Sequence, residues 1–379
     1  MTNEDAKPMV AVWRDEWLPQ SETFIRDQMN AMSNWLPLGV GLYPDGFAEV
    51  VGWTPIGSPR IARALLRIGG GSLLMGRLRR YIAEHSVRLI HAHFGTGAVN
   101  ALGVAGPLGI PLLVTFHGFD VTRMPAAKRG KRYVQRLQSV FSYASVLIAV
   151  SDFIRDELIA LGAPPEKIRV LHIGTPIEGS SGIRSTPDPA EPQIIFVGRL
   201  VEKKGVRDLL EAVALMSTDL RRTPIAIVGY GPAEPDLKRR SAELELNVRF
   251  LGRRSSAQIA ALLRESTVFV GPSRRASDGD SEGFGMVFLE AALAGLPVIA
   301  YRHGGVVEAV EDGQTGLLAP EGDIPRLSAL IERVLRDPDL ADTLGRHGRD
   351  RVERQFDVRT LTAELEDIYS ELATASRGR

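Results

Sequence analysis

The chain has 379 residues, with 46 Lys and Arg against 46 Asp and Glu, and so carries no formal net charge. Hydrophobic residues make up 44% and charged residues 24%, which fits a globular chain of two domains and excludes a disordered or collagen-like one. Cysteine is absent, so no disulfide, zinc–thiolate site or iron–sulfur cluster can form, and the balanced charge argues against a nucleic-acid partner.

Residues 1–8 lack the basic start and long apolar stretch of a signal peptide, and no window approaches 18 uninterrupted apolar residues. A cytoplasmic location is the expectation. Short apolar runs then alternate with helical patterns: 9–13, 38–43, 87–92, 111–116 and 145–150, followed by 193–197, 223–228, 248–251, 267–271 and 297–301. Many are rich in Val and Ile, as strands buried on both faces should be. Segments 205–216, 232–245 and 284–294 between them have helical spacing. The predicted class is α/β, with two doubly wound domains facing a cleft. Ligands of such sheets bind beyond the carboxyl ends of strands, so the loops there hold the candidate chemistry.

The first run, 9–13, leads to Ser21-Glu22-Thr23, where Ser21 is placed to cap a helix running to about Ser33. Residues 60–136 carry thirteen Arg and Lys against Glu84 and Asp120, with Ile61, Leu65, Leu66 and Ile68 interleaved. That basic amphipathic stretch reads either as a surface for anionic lipid headgroups or as helices with solvated arginines. Run 87–92 ends on His91-Ala92-His93, whose side chains point the same way. His91 reads as structural and His93, at the strand end, as facing the cleft. Two histidines without a third ligand make a poor metal site. Run 111–116 delivers His117-Gly118-Phe119-Asp120 to the next strand end; an imidazole there can orient a hydroxyl, and Asp120 would assist on the acceptor side. Ser151, after 145–150, reads as a helix cap.

Gly, Ser and Pro crowd residues 178–191 and periodicity stops, which marks a linker. It separates a domain over 1–177 from one over 192–357, with a terminal helix and tail over 358–379. Beyond it, strand 193–197 runs into Gly198-Arg199-Leu200-Val201-Glu202-Lys203-Lys204-Gly205, a loop that suits a diphosphate but also reads as a solvated basic turn. Strand 267–271 leads through Pro272-Ser273 to Glu282-Gly283-Phe284-Gly285 and a helix carrying Glu290. Glycines before a helix N-terminus leave N–H groups for an anion. Glu290 stands among apolar neighbours and needs a partner. Asp278-Gly279-Asp280 is spelled like a metal motif but reads as a loop. Gly229-Tyr230-Gly231 has Glu234 where a dinucleotide fingerprint needs glycine.

From Gly198-Arg199-Leu200 and Lys204-Gly205 through Gly229-Tyr230-Gly231-Pro232, Phe250-Leu251-Gly252, Pro272-Ser273 and Glu282…Glu290 to Gly304-Gly305…Glu308 and Gly313-Gln314-Thr315-Gly316, the ordered set resembles the retaining glycosyltransferases of GT-B fold, family four. The N-terminal Ser-Glu-Thr-Phe-Ile resembles the variant found in exopolysaccharide transferases of colanic acid and amylovoran type, in place of a glycine-rich phosphate loop. The resemblance implies a hexosyl transfer from a nucleotide-diphosphate sugar, a UDP-hexose, to a saccharide acceptor that is lipid-linked, with no cofactor and no metal. Arg199 and Lys204 would meet the donor diphosphate, Glu282 the donor sugar and Glu290 the nucleotide ribose. His117 would lie beside the reacting centre. Gly198, Ser273, Gly283, Phe284, Gly285, Met286 and Val287 complete the implied donor site, with Ser21, Glu22, Thr23, His93 and Asp120 on the acceptor side. The terminal helix, 358–375, would cross back to the first domain. Attachment to the inner face of the cytoplasmic membrane would suit such an acceptor. Two other readings compete, a nucleotide-sugar epimerase of similar fold and a non-catalytic sugar-nucleotide binder. Alanine at Lys204 or Glu282 is expected to abolish transfer with thermal unfolding nearly unchanged.

Overall fold

A computed structural model describes residues 7–17, 22–44, 71–177 and 192–377. The chain divides into two compact units, one of residues 1–174 with 358–379, the other of residues 175–357. The basic segment 60–70, Ser21 and the linker 178–191 lie outside the described residues.

The first unit is built on six parallel strands, β1 (Met9–Trp13), β2 (Leu36–Val40), β3 (Leu89–His93), β4 (Leu112–Phe116), β5 (Val146–Ala149) and β6 (Ile168–Val170), in the order β2-β1-β3-β4-β5-β6. The central strands are buried along their whole length, which is why they read as unbroken apolar runs. β2 begins two residues before the run that predicted it and stops at Val40. Its Gly39 allows Trp17 to pack against it: a Cβ there would come within 2.3 Å of the indole. Edge strand β6 alternates half-buried and exposed residues, a pattern too short to stand out in the sequence.

Helices α1 (Thr23–Ala31), α2 (Gly71–Glu84), α3 (Gly95–Leu108), α4 (Gly130–Tyr143) and α5 (Asp152–Ala160) cover this sheet. α3 stops at Gly109, whose left-handed φ of 63° lets its N–H reach back to the carbonyls of Ala105 and Gly106. Ser151 caps α5 by accepting from the Ile154 N–H at 3.1 Å.

The second unit repeats the plan with β7 (Ile194–Val197), β8 (Ile225–Val228), β9 (Val248–Gly252), β10 (Val268–Gly271), β11 (Val298–Arg302) and β12 (Gly316–Pro320), all parallel, in the order β9-β8-β7-β10-β11-β12. By position within the unit this is 3-2-1-4-5-6, the doubly wound order in which the chain reverses direction beside the first strand. Helices α6 (Val206–Ala214), α7 (Glu234–Glu243), α8 (Ser256–Glu265), α9 (Met286–Leu293), α10 (Ile324–Arg336) and α11 (Pro338–Gln355) flank it. Phe196, Leu209, Val270, Ile299 and Leu330 share one core.

The last helix, α12 (Val358–Arg377), belongs to the first unit. It buries Leu361, Leu365, Ile368 and Tyr369 there. Its Glu366, 1% exposed, accepts from the backbone N–H groups of Ser33 at 3.2 Å, Asn34 at 2.8 Å and Trp35 at 2.8 Å. One carboxylate thus satisfies three donors just beyond the end of α1. Among the described residues, no helix is long and apolar enough to cross a membrane.

Candidate active site

In the second unit, the loop after β7 and the loop after β10 are fastened side by side. Glu202 accepts from the Ser277 N–H at 3.1 Å and hydroxyl at 2.6 Å, and the Lys203 carbonyl accepts from the Arg274 N–H at 2.8 Å. Lys203 Nζ donates to Asp280 Oδ1 at 3.0 Å and to the Ser281 carbonyl at 3.3 Å, with both charged side chains buried. Gly205, at φ 64°, closes the approach, since a Cβ there would fall 1.9 Å from the Pro272 carbonyl oxygen.

The result is a meeting of Lys204 with Glu282. Lys204 Nζ donates to Glu282 Oε2, and Ser273 Oγ donates to the same oxygen at 3.2 Å. Burial alone would raise the Glu282 carboxyl, but the charges of Lys204 and Lys203 and the bonds from Lys204 and Ser273 outweigh it and hold it down to about 2. Glu282 is therefore ionised at neutral pH and desolvated, with one ammonium on it and another close by. The pairing of Lys203 with Asp280 is not evident from the sequence. Nothing in Lys203-Lys204 says which lysine turns inward until the partner loop is in place. Asp280, part of the Asp-Gly-Asp spelling, is committed to Lys203, and a cation on it would have to break that pair.

Arg199 is exposed beside this cluster in sequence, and Gly198 takes a φ of 159° against Phe196. α9 begins after Gly285, at φ 92°, rather than at Phe284. The shift has a packing cause: Phe284 is buried against Phe356, with ring centroids 5.6 Å apart, and Gly285 makes the turn that frees it to do so. Gly283 is buried, while Met286, Val287 and Glu290 are half-buried along α9.

The first unit gathers a different set at the ends of β1, β3 and β4. His91 is fully enclosed, its Nδ1 2.6 Å from Tyr369 Oη and its Nε2 2.7 Å from Thr115 Oγ1. Burial drops its pKa to about 3. It is structural, as its place within the strand implied. His93 is buried and His117 half-buried; His93 Nδ1 lies 3.0 Å from His117 Nε2. His117 is walled by Phe24 and Phe94, with centroids 4.9 and 4.4 Å from its own. Phe94 stands at φ 64°, a left-handed conformation rare for a bulky residue, at the turn from β3 into α3. The two histidines, Phe24, Gln28 and Thr115 line a small cavity.

Two of the acceptor-side residues are taken up by partners within the first unit. Asp120 is fully buried, accepting from the N–H groups of Gly95 at 2.9 Å, His117 at 3.2 Å and Gly118 at 2.9 Å. It fixes the backbone that carries His117 and has no face left for a ligand. Glu22 is likewise occupied, gripping Arg14 through two bonds of 2.6 and 2.7 Å, and the Arg14 guanidinium lies 4.4 Å from the Phe94 ring centroid. α1 begins at Thr23 with Glu22 in the capping position and no side-chain cap bond, and Ser21 lies outside the described residues. Thr23 is half-buried.

With this geometry in place, the relatives can be set beside it. Residues 183–351 match the model of the glycosyl transferases group 1, and residues 42–178 that of glycosyltransferase family 4. The chain is 31% identical over 288 residues to the amylovoran biosynthesis glycosyltransferase AmsK of Erwinia amylovora, covering 75% of this chain and 70% of that one. Its fold is similar to sucrose-phosphate synthase from Thermosynechococcus elongatus, with a TM-score of 0.81, 21% identity and coverage of 98% and 100% of the two chains. Anabaena HepE in complex with UDP gives a TM-score of 0.78 at 21% identity, covering 96% and 100%. The protein is an enzyme of the α/β GT-B class, a glycosyltransferase built from two Rossmann-like domains. Within that class the chain belongs to the group 1, family 4 glycosyltransferases.

Proposed function

We propose that this enzyme is a retaining hexosyltransferase that takes its sugar from a nucleotide-diphosphate donor, a UDP-hexose, and adds it to a saccharide of a bacterial exopolysaccharide. The observation that carries this reading is the cluster of Lys204, Glu282 and Ser273 between two fastened loops. An ionised, desolvated carboxylate is a strong acceptor for sugar hydroxyls, and an ammonium beside it serves the diphosphate. Arg199, whose side chain is exposed, adds a second cation, with the glycine-walled start of α9 offering N–H groups. Gly198, Gly283, Phe284, Met286 and Val287 shape that site, and Glu290 meets the ribose. The relative assigned to amylovoran biosynthesis and the HepE complex with UDP support the exopolysaccharide and the nucleotide.

In the same reading the transfer proceeds by attack on the face the diphosphate leaves. The leaving group accepts the acceptor's proton, and Arg199, Lys204 and the start of α9 stabilise its charge. Neither a metal nor a cofactor takes part. His117 meets the transferred sugar, with Thr23 and His93 near the acceptor. The acceptor is lipid-linked, and the chain works at the inner face of the cytoplasmic membrane through basic residues such as Arg77, Arg80, Lys131 and Arg132. A thermal-shift panel of UDP-, GDP- and ADP-sugars tests the donor, since a ligand bound only by the folded state raises Tm. A UDP-hexose alone should do so, and a shift with GDP-sugars instead would overturn the choice of base. Flotation with anionic vesicles at low salt tests the membrane contact, and no binding would remove it.

A further inference from the structure

Helix α4 differs from the other helices in how it carries its charge. Residues 121–151 hold six Lys and Arg and no acid. Lys128, Arg129, Lys131, Arg132 and Arg136 are exposed, and none of the five has an ion pair among the described residues. Elsewhere the cations of helix surfaces are matched by acids one turn away: Arg155 with Asp152 in α5, Lys238 with Glu234 and Arg239 with Glu243 in α7, Arg346 with Asp342 and Arg349 with Glu353 in α11. The placement within α4 is adverse as well. Arg129 takes the capping position without a side-chain bond, and Lys131 and Arg132 follow in the first turn, where the free N–H groups are already positive and an acid is preferred. A helix that forgoes both devices concentrates positive charge against its own stability, and an anion bound there relieves it.

The cluster is compact and fixed beside the histidine site. Four cations fall within the five residues 128–132. Gly130 is buried, and a Cβ on it would lie 1.8 Å from the Pro125 carbonyl oxygen, so the start of α4 is pressed onto the turn before it. Tyr133 turns inward, its hydroxyl 2.4 Å from where a Cβ on Gly95 would stand. The Gly95 N–H is held by Asp120, and so is that of His117. The cations therefore neighbour a side chain that touches the frame of His117, on the side of the sheet where β4 ends. A lipid surface offers single charges spread over an area. Guanidinium and ammonium groups gathered in one turn fit a compact anion of several charges, and a guanidinium can pair two phosphate oxygens at once. We infer that Lys128, Arg129, Lys131 and Arg132 seat the diphosphate that joins the acceptor saccharide to its lipid. This rests on the proposed reading of the acceptor as lipid-linked, and it makes α4 selective for the carrier rather than for membrane charge at large.

Flotation of the full chain separates the two sources of phosphate. Phosphatidylcholine vesicles carry either a polyprenyl diphosphate or phosphatidylglycerol, matched for surface charge. Binding to the diphosphate vesicles should be about tenfold tighter than to the phosphatidylglycerol vesicles. Replacing all four cations, as Lys128→Gln, Arg129→Gln, Lys131→Gln and Arg132→Gln, should abolish that preference. Tm should hold or rise in this variant, since exposed charges leave the start of a helix. Arg77→Gln with Arg80→Gln, on α2, should weaken binding to both vesicles alike and keep the preference. Equal binding of the unaltered chain to the two vesicles would make α4 a plain membrane contact and overturn the inference, as would a preference that survives the fourfold change. Binding to the diphosphate vesicles alone would remove the general membrane contact and leave the inference standing, whereas binding to neither would overturn both.

Discussion

The two units present opposite electrostatics at the ends of the same kind of sheet. In the second unit the strand ends hold full charges in close pairs, Lys203 with Asp280 and Lys204 with Glu282. In the first unit they hold three neutral imidazoles hedged by Phe24, Phe94 and Tyr369. A dianionic leaving group needs fixed opposite charge, and a charge buried with its counter-ion is already oriented before the ligand arrives. A sugar hydroxyl needs direction more than charge, and a neutral ring held by its neighbours supplies that. The plan of strands is shared, and what each strand end carries is what separates the two.

The contrast breaks hardest at Lys204 and Glu282. Alanine at either should lower transfer by about a thousandfold or more, measured as initial rate with saturating donor. The structure revises the companion expectation of unchanged unfolding. The pair is buried, so removing one member strands the other and should lower Tm. Combining Lys204→Met with Glu282→Gln removes both charges and should recover much of the stability with none of the transfer.

Next in size is Glu366→Ala. It leaves the N–H groups of Ser33, Asn34 and the buried Trp35 without that acceptor, at about 1–3 kcal/mol, and should lower Tm. Hydrogen exchange should quicken in the first unit and stay as it was in the second.

Acid should separate the units as well. Below pH 6.5 the unfolded chain binds protons at His91, His93 and His117 that the folded chain refuses, so the first unit loses stability as pH falls. Asp15 and Asp120, raised by burial, act the other way. Glu282 is depressed from 4.5 to about 2, so its contribution, on the order of 3 kcal/mol, is intact above 4.5 and lost as pH falls toward 2. Peptide-level hydrogen exchange at pH 5 should show the first unit loosening while the loops around Glu282 stay protected. The smallest effect should come from Arg199→Ala. Its side chain is exposed, so Tm should hold while transfer falls about tenfold.

Most of the strand framework was legible because strands covered on both faces are apolar runs with polar ends, and β1, β4, β7 and β10 all read that way. β6 was not, because three residues at an edge carry too little pattern. Glu282 and Lys204 could be found because glycines with fixed spacing frame them. Asp120 was misread because its main customer, the Gly95 N–H, lies 25 residues away, and only the closed fold brings the two together. The pairing of Lys203 with Asp280 was invisible for the same reason, the two being 77 residues apart. Glu22 looked available until Arg14 was seen to hold it.

The place of α12 has a consequence for biosynthesis. The first unit starts at the beginning of the chain, yet Tyr369 completes the shell of His91 and Glu366 the cap on residues 33–35. A nascent chain emerging from the ribosome can finish the second unit, residues 175–357, while the first still lacks part of its core. The half that is translated first is the half that matures last, since the apolar surface that α12 covers stays open until residues 365–369 emerge.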